Sequence, residues 1–365
     1  MRTEVLPEGF RLDHGFHVFL TGYPAVIREI DLGRLDVRPF HAGCVVSKGG
    51  HLYPLSDTLE AARFPYATWR DKLRLRNLRS ADPSRTPDTS TMEHLRTLGF
   101  SRDLIESFFE PFFGGVFLDR SLSNSARFFA SIVTAFMASP VGIPCGGIGA
   151  VPAQVAEGIP AGAIHLECPV EALHVEGGRA SGLTIAGQEV RAETIVLACG
   201  PSDAARLAGL DLPALEMRGM TVVYFTTSTP PTGERRLFIR GDAHGWTNHF
   251  AVLTHVAPEL APAGQHLLMG AILGTPDMNE GAISELVRTE MAWWFPHGMT
   301  HTWRWLRTIK IPAAQWAFPP GLAARLPGTR AAVDGLLLAG DFTREPSVDG
   351  AIQSGLDAAA AALSG

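Results

Sequence analysis

The stretch that most constrains the fold runs from Leu336 to Ala361 near the carboxyl end of the chain. Leu336, Leu337, Leu338 and Ala339 form a short apolar run with a turn signal behind it, the pattern of a strand buried on both faces. Gly340 and Asp341 then set a backbone without a side chain beside a carboxylate at the strand's carboxyl end, where open α/β sheets take their ligands. Beyond Pro346 the chain is Ala-rich and helical, and Ser347 and Asp349 both suit the N-cap. The first turn of such a helix has free N–H groups and a partial positive charge, which favour an anion or an electron-rich ring oxygen. Gly350 and Gly355 leave room for ligand or sheet to come close. For each residue taken singly, an ordinary capped strand-loop-helix unit explains as much.

The whole string AGDFTREPSVDGAIQSGLDAA resembles the C-terminal flavin-binding signature of the flavin-containing amine oxidase and phytoene desaturase superfamily. The resemblance implies FAD as cofactor. It implies that Asp341, beside Gly340, holds the ribityl chain, and that the backbone of Gly350, Ala351 and Ile352, beside Asp349, faces the pyrimidine end of the flavin ring. The helix dipole there would stabilise negative charge as the flavin is reduced. Arg2-Thr3-Glu4 and the segment Gly9 to Phe19 are similar to what the family carries just after its glycine-rich unit, which implies that Arg2, Gly15 and Phe16 lie near the cofactor. Pro169-Val170 is similar to a family pair whose backbone meets the adenine, which adds Val170.

A dinucleotide domain opens on a strand, a glycine-rich turn and a helix. On this reading Met1 falls inside that element, and a βαβ unit of about 30 to 40 residues is expected upstream, in codons before an internal start or lost in a truncation. Gly147-Ile148-Gly149-Ala150-Val151-Pro152 imitates the missing fingerprint weakly, because it follows Pro140 and Pro144 and ends in Pro152. It fits better as a Pro-x-Gly-Gly loop opening a helix from about Pro152.

Between the ends, Phe40 to Leu55 reads as a hairpin turning at Gly49-Gly50, and Thr91 to Leu98 as a helix stopped by Gly99. A second helix follows from Ser101 or Asp103, carrying Phe108, Phe109, Phe112, Phe113 and Phe117. Core packing is the first reading of that aromatic density, and the wall of a pocket for an apolar substrate is the second. Short strands are expected at Ile164 to Leu166, Val170 to Val175, Ala180 to Ile185, Val190 to Ala192 and Ile195 to Ala198, with a helix capped by Ser202 or Asp203 after them. Thr221 to Thr226, Leu237 to Arg240, Phe250 to Thr254, His266 to Leu273 and Trp303 to Ile311 read as strands, the last closed by Pro312, with a helix over Met278 to Phe295.

A net charge of −6 without a basic block argues against nucleic acid. Arg70 to Arg85, the most basic stretch, reads as a solvated helix face, with weak membrane association as the minority reading. Cys44, Cys145, Cys168 and Cys199 form no CxxC pair, which fits reduced thiols in the cytoplasm. The uncharged run Phe128 to Ala156 is broken by Pro140, Pro144 and Gly146-Gly147 before a span is complete, and the N-terminus shows no secretory h-region. His297 and His301 have zinc-ligand spacing, but Gly298 stands where a Glu is expected and Pro296 opposes a helix. His14 and His17 point to opposite faces of an extended segment, and Ser354 lacks the glycine of a nucleophile elbow.

The expected fold class is α/β and α+β. An N-terminally truncated, Rossmann-like FAD-binding domain takes residues 1-45, 140-210 and 328-365, and a substrate domain of mixed antiparallel sheet and helices takes 46-139 and 211-327. The expected function is an FAD-dependent oxidoreductase that removes a hydride from a C–H bond of a small apolar substrate, similar to phytoene desaturases or protoporphyrinogen oxidases. A remnant that binds an apolar ligand without FAD, and an amine oxidase acting on a C–N bond, are the alternatives. No catalytic residue and no metal is assigned; His17 and Lys310 are candidates only for proximity to the ring.

Overall fold

The computed structural model describes residues 1–16, 18–56 and 59–364. The chain divides into two compact units, one of Met1–Gly22, Asp31–Gln154 and Glu216–Ala317, the other of Tyr23–Ile30, Val155–Leu215 and Phe318–Gly365.

The first unit is built on a seven-stranded sheet in the order Arg304–Trp316, Met217–Thr227, His266–Leu273, Thr247–Val252, Leu237–Arg240, Cys44–Lys48, His51–Leu55. Neighbours are antiparallel except Leu237–Arg240 and Cys44–Lys48, which run parallel. Every residue from Met220 to Thr227 is buried, because both faces of that strand are covered. Val222 and Tyr224 enter one apolar cluster with Leu12, Phe40 and Met269, while Val223 and Phe225 enter another with Phe250 and Trp303. The helix Glu280–Trp294, capped by Asn279, covers the second face with Ile283, Val287 and Met291 at helical spacing. The hairpin of Cys44–Lys48 and His51–Leu55 turns at Gly49-Gly50, both at positive φ as a tight turn there requires.

Two expectations for this unit are corrected. Pro312 does not close its strand, which continues to Trp316. That strand is an edge, and its register slips between Arg218 and Met220, opposite the segment holding Pro312; the missing N–H interrupts no ladder bond there. The strand expected from Phe250 starts earlier, at Thr247, and ends at Val252 in a helical turn, Leu253–Val256.

The aromatic helix is capped by Ser101, as α-helix over Arg102–Leu104 and Glu110–Phe117 with a π-helical widening over Ile105–Phe109 between. Phe109, Phe113 and Phe117 are buried, and Phe113 meets Phe129 edge-on at 4.6 Å. Phe108 and Phe112 are only half-buried and stack on each other at 5.4 Å. Core packing therefore accounts for one side of the helix. The other side keeps a half-buried aromatic pair.

In the second unit Ile195–Leu197 and Leu336–Leu338 pair in parallel; Ile195, Leu197, Leu336 and Leu338 face a core shared with Ala204 and Phe342, Leu337 is buried as well, and Val196 is exposed. Val170–Glu176, Arg179–Ile185 and Gln188–Arg191 form an antiparallel meander. Ile164 to Leu166 forms no strand; Leu166 is 81% exposed and nothing pairs with the segment. The helix after Cys199 spans Pro201–Ala208 and is capped by Gly200 rather than Ser202 or Asp203, since Pro201 takes the first helical position.

Candidate functional site

Parallel strands end at the same edge, so the turns after Leu197 and Leu338 open side by side. One leads through Gly200 into Pro201–Ala208. The other passes Gly340 and the turn Asp341–Thr343 into the helix Val348–Leu363. Gly340 has a φ of +153°, and an added Cβ would meet the Phe342 ring at 2.5 Å, so only glycine fits. The turn is tied to the helix by Ser354, whose hydroxyl accepts from the Gly340 N–H at 2.8 Å and donates to the Ala351 carbonyl at 2.7 Å. That buried serine is a strut. It is not a nucleophile.

Ser347 caps the long helix by accepting from the Gly350 N–H at 2.9 Å, and its carbonyl takes the Ala351 N–H at 3.0 Å. The first-turn amides of Val348 and Asp349 are then left without an intrahelical acceptor. The Asp349 carboxylate accepts from the Ala25 N–H at 2.6 Å, capping the short helix Pro24–Glu29 from outside. Burial pushes the Glu345 carboxyl above the usual range, against a hydrogen bond from Ser347 that lowers it. Burial, with the charges of Glu345 and Asp349, pushes the neighbouring Tyr23 phenol up as well. Ala351 is exposed and Ile352 half-buried, while Gly350 is buried under the Glu345 backbone. Val170 opens the meander's first strand, half-buried opposite Ile185.

In the first unit Thr3–Val5 pairs with Arg11–Asp13, and the Arg2 carbonyl takes the His14 N–H at 2.9 Å. Thr3 donates to Asp13 at 2.6 Å, and both accept from the glycine loop that mimics a dinucleotide fingerprint: Ile148 N–H on Asp13, Gly149 N–H on Thr3. That loop follows a strand after all, Val141–Pro144, but its amides are engaged by the chain itself. Its helix spans Ala150–Glu157, two residues earlier than expected. Gly15 sits at a φ of +134°, with the buried Tyr224 hydroxyl donating to the Asp13 carbonyl at 2.8 Å. Arg2 is exposed and Phe16 half-buried. A cavity of about 10 Å³, room for roughly one water, is bordered by Asp13, Gly15, Phe16 and Tyr224. A wider hollow of about 660 Å³ elsewhere in this unit is lined by the Asp119 and Arg218 pair and by Ser121 and Ser123.

Two residues absent from the sequence reading stand beside Phe16. The register of Thr247–Val252 slips between Thr247 and His249, so Asn248 is the extra residue of a bulge. A bulge sets neighbouring side chains to one side. Asn248 thus reaches the His249 Nδ1 at 3.2 Å while donating to the Pro111 carbonyl at 2.9 Å. The His249 ring centroid lies 4.2 Å from that of Phe16. The His249 Nε2 and Asn248 Oδ1 are buried without a hydrogen-bond partner among the described residues. Burial pushes the His249 imidazole down to about 3, so it is neutral. Adjacent Asn and His inside the apolar run TNHFAV were the available signal.

The neutral His249 makes a prediction. Its folded pKa of about 3 lies below the unfolded value, so between the two the unfolded chain holds more protons. Stability is full above the unfolded pKa of about 6.5 and falls as pH drops toward 3, by an amount on the order of a few kcal/mol. Urea melts across that range should lose this slope in His249→Leu; an unchanged slope would assign it to other groups.

The sequence model of flavin-containing amine oxidoreductases matches residues 1–363. The chain belongs to the flavin-containing amine oxidoreductase family. It is an FAD-dependent oxidoreductase. Its fold is similar to that of an oxidoreductase from Methanosarcina mazei at a TM-score of 0.75 and 18% identity, covering 98% of this chain and 90% of that one. A proposed protoporphyrinogen oxidase from Exiguobacterium sp. 255-15 gives a TM-score of 0.74 at 15% identity, covering 100% and 90%. Wild-type putrescine oxidase bound to putrescine gives 0.69 at 15%, with the same coverage. A search of curated proteins finds no match.

The residues of the second unit fit FAD. Two strand-to-helix turns open at one edge, Gly340 removes the side chain that would obstruct one of them, and the long helix offers unpaired first-turn amides. Among the described residues no group of three or more His, Cys, Asp or Glu could hold a metal ion, and His297 and His301 share no helix. The Lys310 ammonium is engaged by the Pro276 and Met278 carbonyls at 2.8 and 2.7 Å; His17 lies outside the described residues.

Proposed function

We propose that this oxidoreductase removes a hydride from a C–H bond of a small apolar substrate, of isoprenoid or tetrapyrrole type. The observation that carries the reading is the apolar side of the cavity at Phe16: its ring lies against a histidine that burial keeps neutral, with Leu253, Leu260 and Ile143 around the cavity, while the one carboxylate that lines it, Asp13, is engaged by Thr3 and the Ile148 N–H. A cationic amine would need a carboxylate to replace its water. The half-buried Phe108 and Phe112 stack supports the same preference.

Bound FAD supplies two-electron acceptance from a C–H bond. In this reading Gly340 and Asp341 hold the ribityl chain. The amides before Gly350, Ala351 and Ile352 stabilise negative charge at the flavin ring, and Asp349 contributes its backbone while its carboxylate caps the Pro24–Glu29 helix. Val170 borders the adenine in the same unit. Phe16 and His249 exclude water, and the His249 Nε2 offers one neutral hydrogen-bonding atom to orient the substrate.

Likeness to putrescine oxidase favours amine oxidation as the second reading. Anaerobic mixing of the flavoprotein with a polyene, a reduced tetrapyrrole and putrescine separates them. Bleaching of the flavin by an apolar compound is expected, and bleaching by putrescine alone would overturn the proposal.

A further inference from the structure

We infer that the helix Trp69–Leu78 docks the protein on a bilayer containing anionic phospholipid. Its inner face is fixed: Asp71 is fully buried, accepts from Ser101 N–H at 2.8 Å and closes a capping box with Thr68. Its outer face carries an exposed apolar pair. Trp69 is 67% and Leu73 is 56% exposed, one turn apart on one side, and Leu59 on the preceding short helix is 74% exposed. Lys72 joins the two helices by donating to the Ala62 carbonyl at 2.7 Å.

Between Leu59 and Arg85 stand seven Lys or Arg and three acidic residues, in a chain of net charge −6. Of the acidic residues only Asp82 offsets one of these cations, Arg85, beyond the end of the helix. Asp71 faces inward, Glu60 pairs with Arg236 at 2.7 Å, and Asp82 is held by Ser84 and Arg85. Around the exposed apolar pair, Arg70 lies over the Trp69 ring at 5.3 Å, and helical spacing sets Lys72 and Arg76 on either side. Trp and Leu flanked by Arg and Lys form the pattern of an interfacial helix, whose apolar side enters the acyl boundary while cations meet lipid phosphates.

A nucleic acid would satisfy the arginines but gives Leu59 and Leu73 no apolar phase. A second copy of the chain meets the patch by two-fold symmetry, setting arginine against arginine. The bilayer satisfies both halves.

The test is co-sedimentation of the full chain with vesicles of phosphatidylcholine alone and of phosphatidylcholine with phosphatidylglycerol. Binding is expected only to the anionic vesicles, weakening as salt rises. Trp69→Ser with Leu73→Ser should abolish it, and Arg70→Glu with Arg76→Glu should weaken it by roughly fivefold or more per residue, the equivalent of about 1 kcal/mol each. Thermal melts check that both remain folded, and Leu73→Asn alone replaces a double variant that does not. No binding to anionic vesicles, binding that the variants leave unchanged, tighter binding to a single-stranded oligonucleotide, or a dimer that the same substitutions dissociate would each overturn the inference.

Discussion

Gly350→Ala is expected to destabilise the second unit by about 1–3 kcal/mol and to weaken FAD retention, whereas Gly355→Ala five residues later in the same helix should stabilise by about 0.5–1 kcal/mol. The difference lies in what each new methyl meets. At Gly350 it would come 2.4 Å from the Glu345 carbonyl oxygen, a backbone atom that cannot rotate away. Relief requires the loop from Asp341 to Ser347 to move, which loosens the Ser347 cap on the Gly350 N–H and draws Asp341 from its turn. In the proposed site Asp341 holds the ribityl chain; charge-assisted hydrogen bonds contribute about 1.5–3 kcal/mol each, so losing that one is expected to weaken FAD by roughly tenfold to more than a hundredfold. At Gly355 nothing lies within 4 Å, and alanine gains its ordinary helix preference. Melting temperatures and the flavin retained through gel filtration read both variants. A Gly350→Ala protein as stable and as yellow as the parent would show that the loop is not set by this close approach.

The strand, turn and helix around Asp341 were legible because each is locally determined. Leu336–Leu338 is apolar throughout, Ser347 is a strong cap, and the glycines stand where the backbone needs them. The long strands and the helix over the sheet were legible for the same reason, within a few residues. Tertiary context decided the rest. Ile164 to Leu166 alternates like a strand but has no neighbour, and Pro312 is tolerated because its strand is an edge with a register slip. The π-helical widening at Ile105–Phe109 has no local sequence mark. His249 is the instructive miss: its neighbour Phe16 lies more than two hundred positions away, and only the bulge at Asn248 turns both polar side chains to one side. Asp349 carried the reverse lesson, since a residue matching a ligand motif also caps a second helix.

Glu290→Ala should be the most damaging single change in the first unit, lowering stability by about 3–5 kcal/mol and Tm by on the order of 10 °C. Glu290 binds Arg240 at 2.7 Å and accepts the Trp246 and Thr247 N–H groups at 2.7 and 2.8 Å. Arg240 is 6% exposed, donates to the Thr247 and His244 carbonyls, and faces the Trp294 ring at 5.5 Å. Burial already pulls its pKa down, with Glu290 opposing that shift. Removing the carboxylate leaves a buried guanidinium without its counter-charge and two amides without an acceptor. Glu290→Gln keeps an acceptor but not the charge and should fall between. Arg240→Met with Glu290→Leu, which removes both charges, should recover much of the loss, because a buried pair costs more to break than to replace. Recovery in that double variant would mark the pair as a register device between Leu237–Arg240 and the helix Glu280–Trp294. A double variant no more stable than Glu290→Ala would place the effect in the lost amide bonds at Trp246 and Thr247, which the leucine cannot restore.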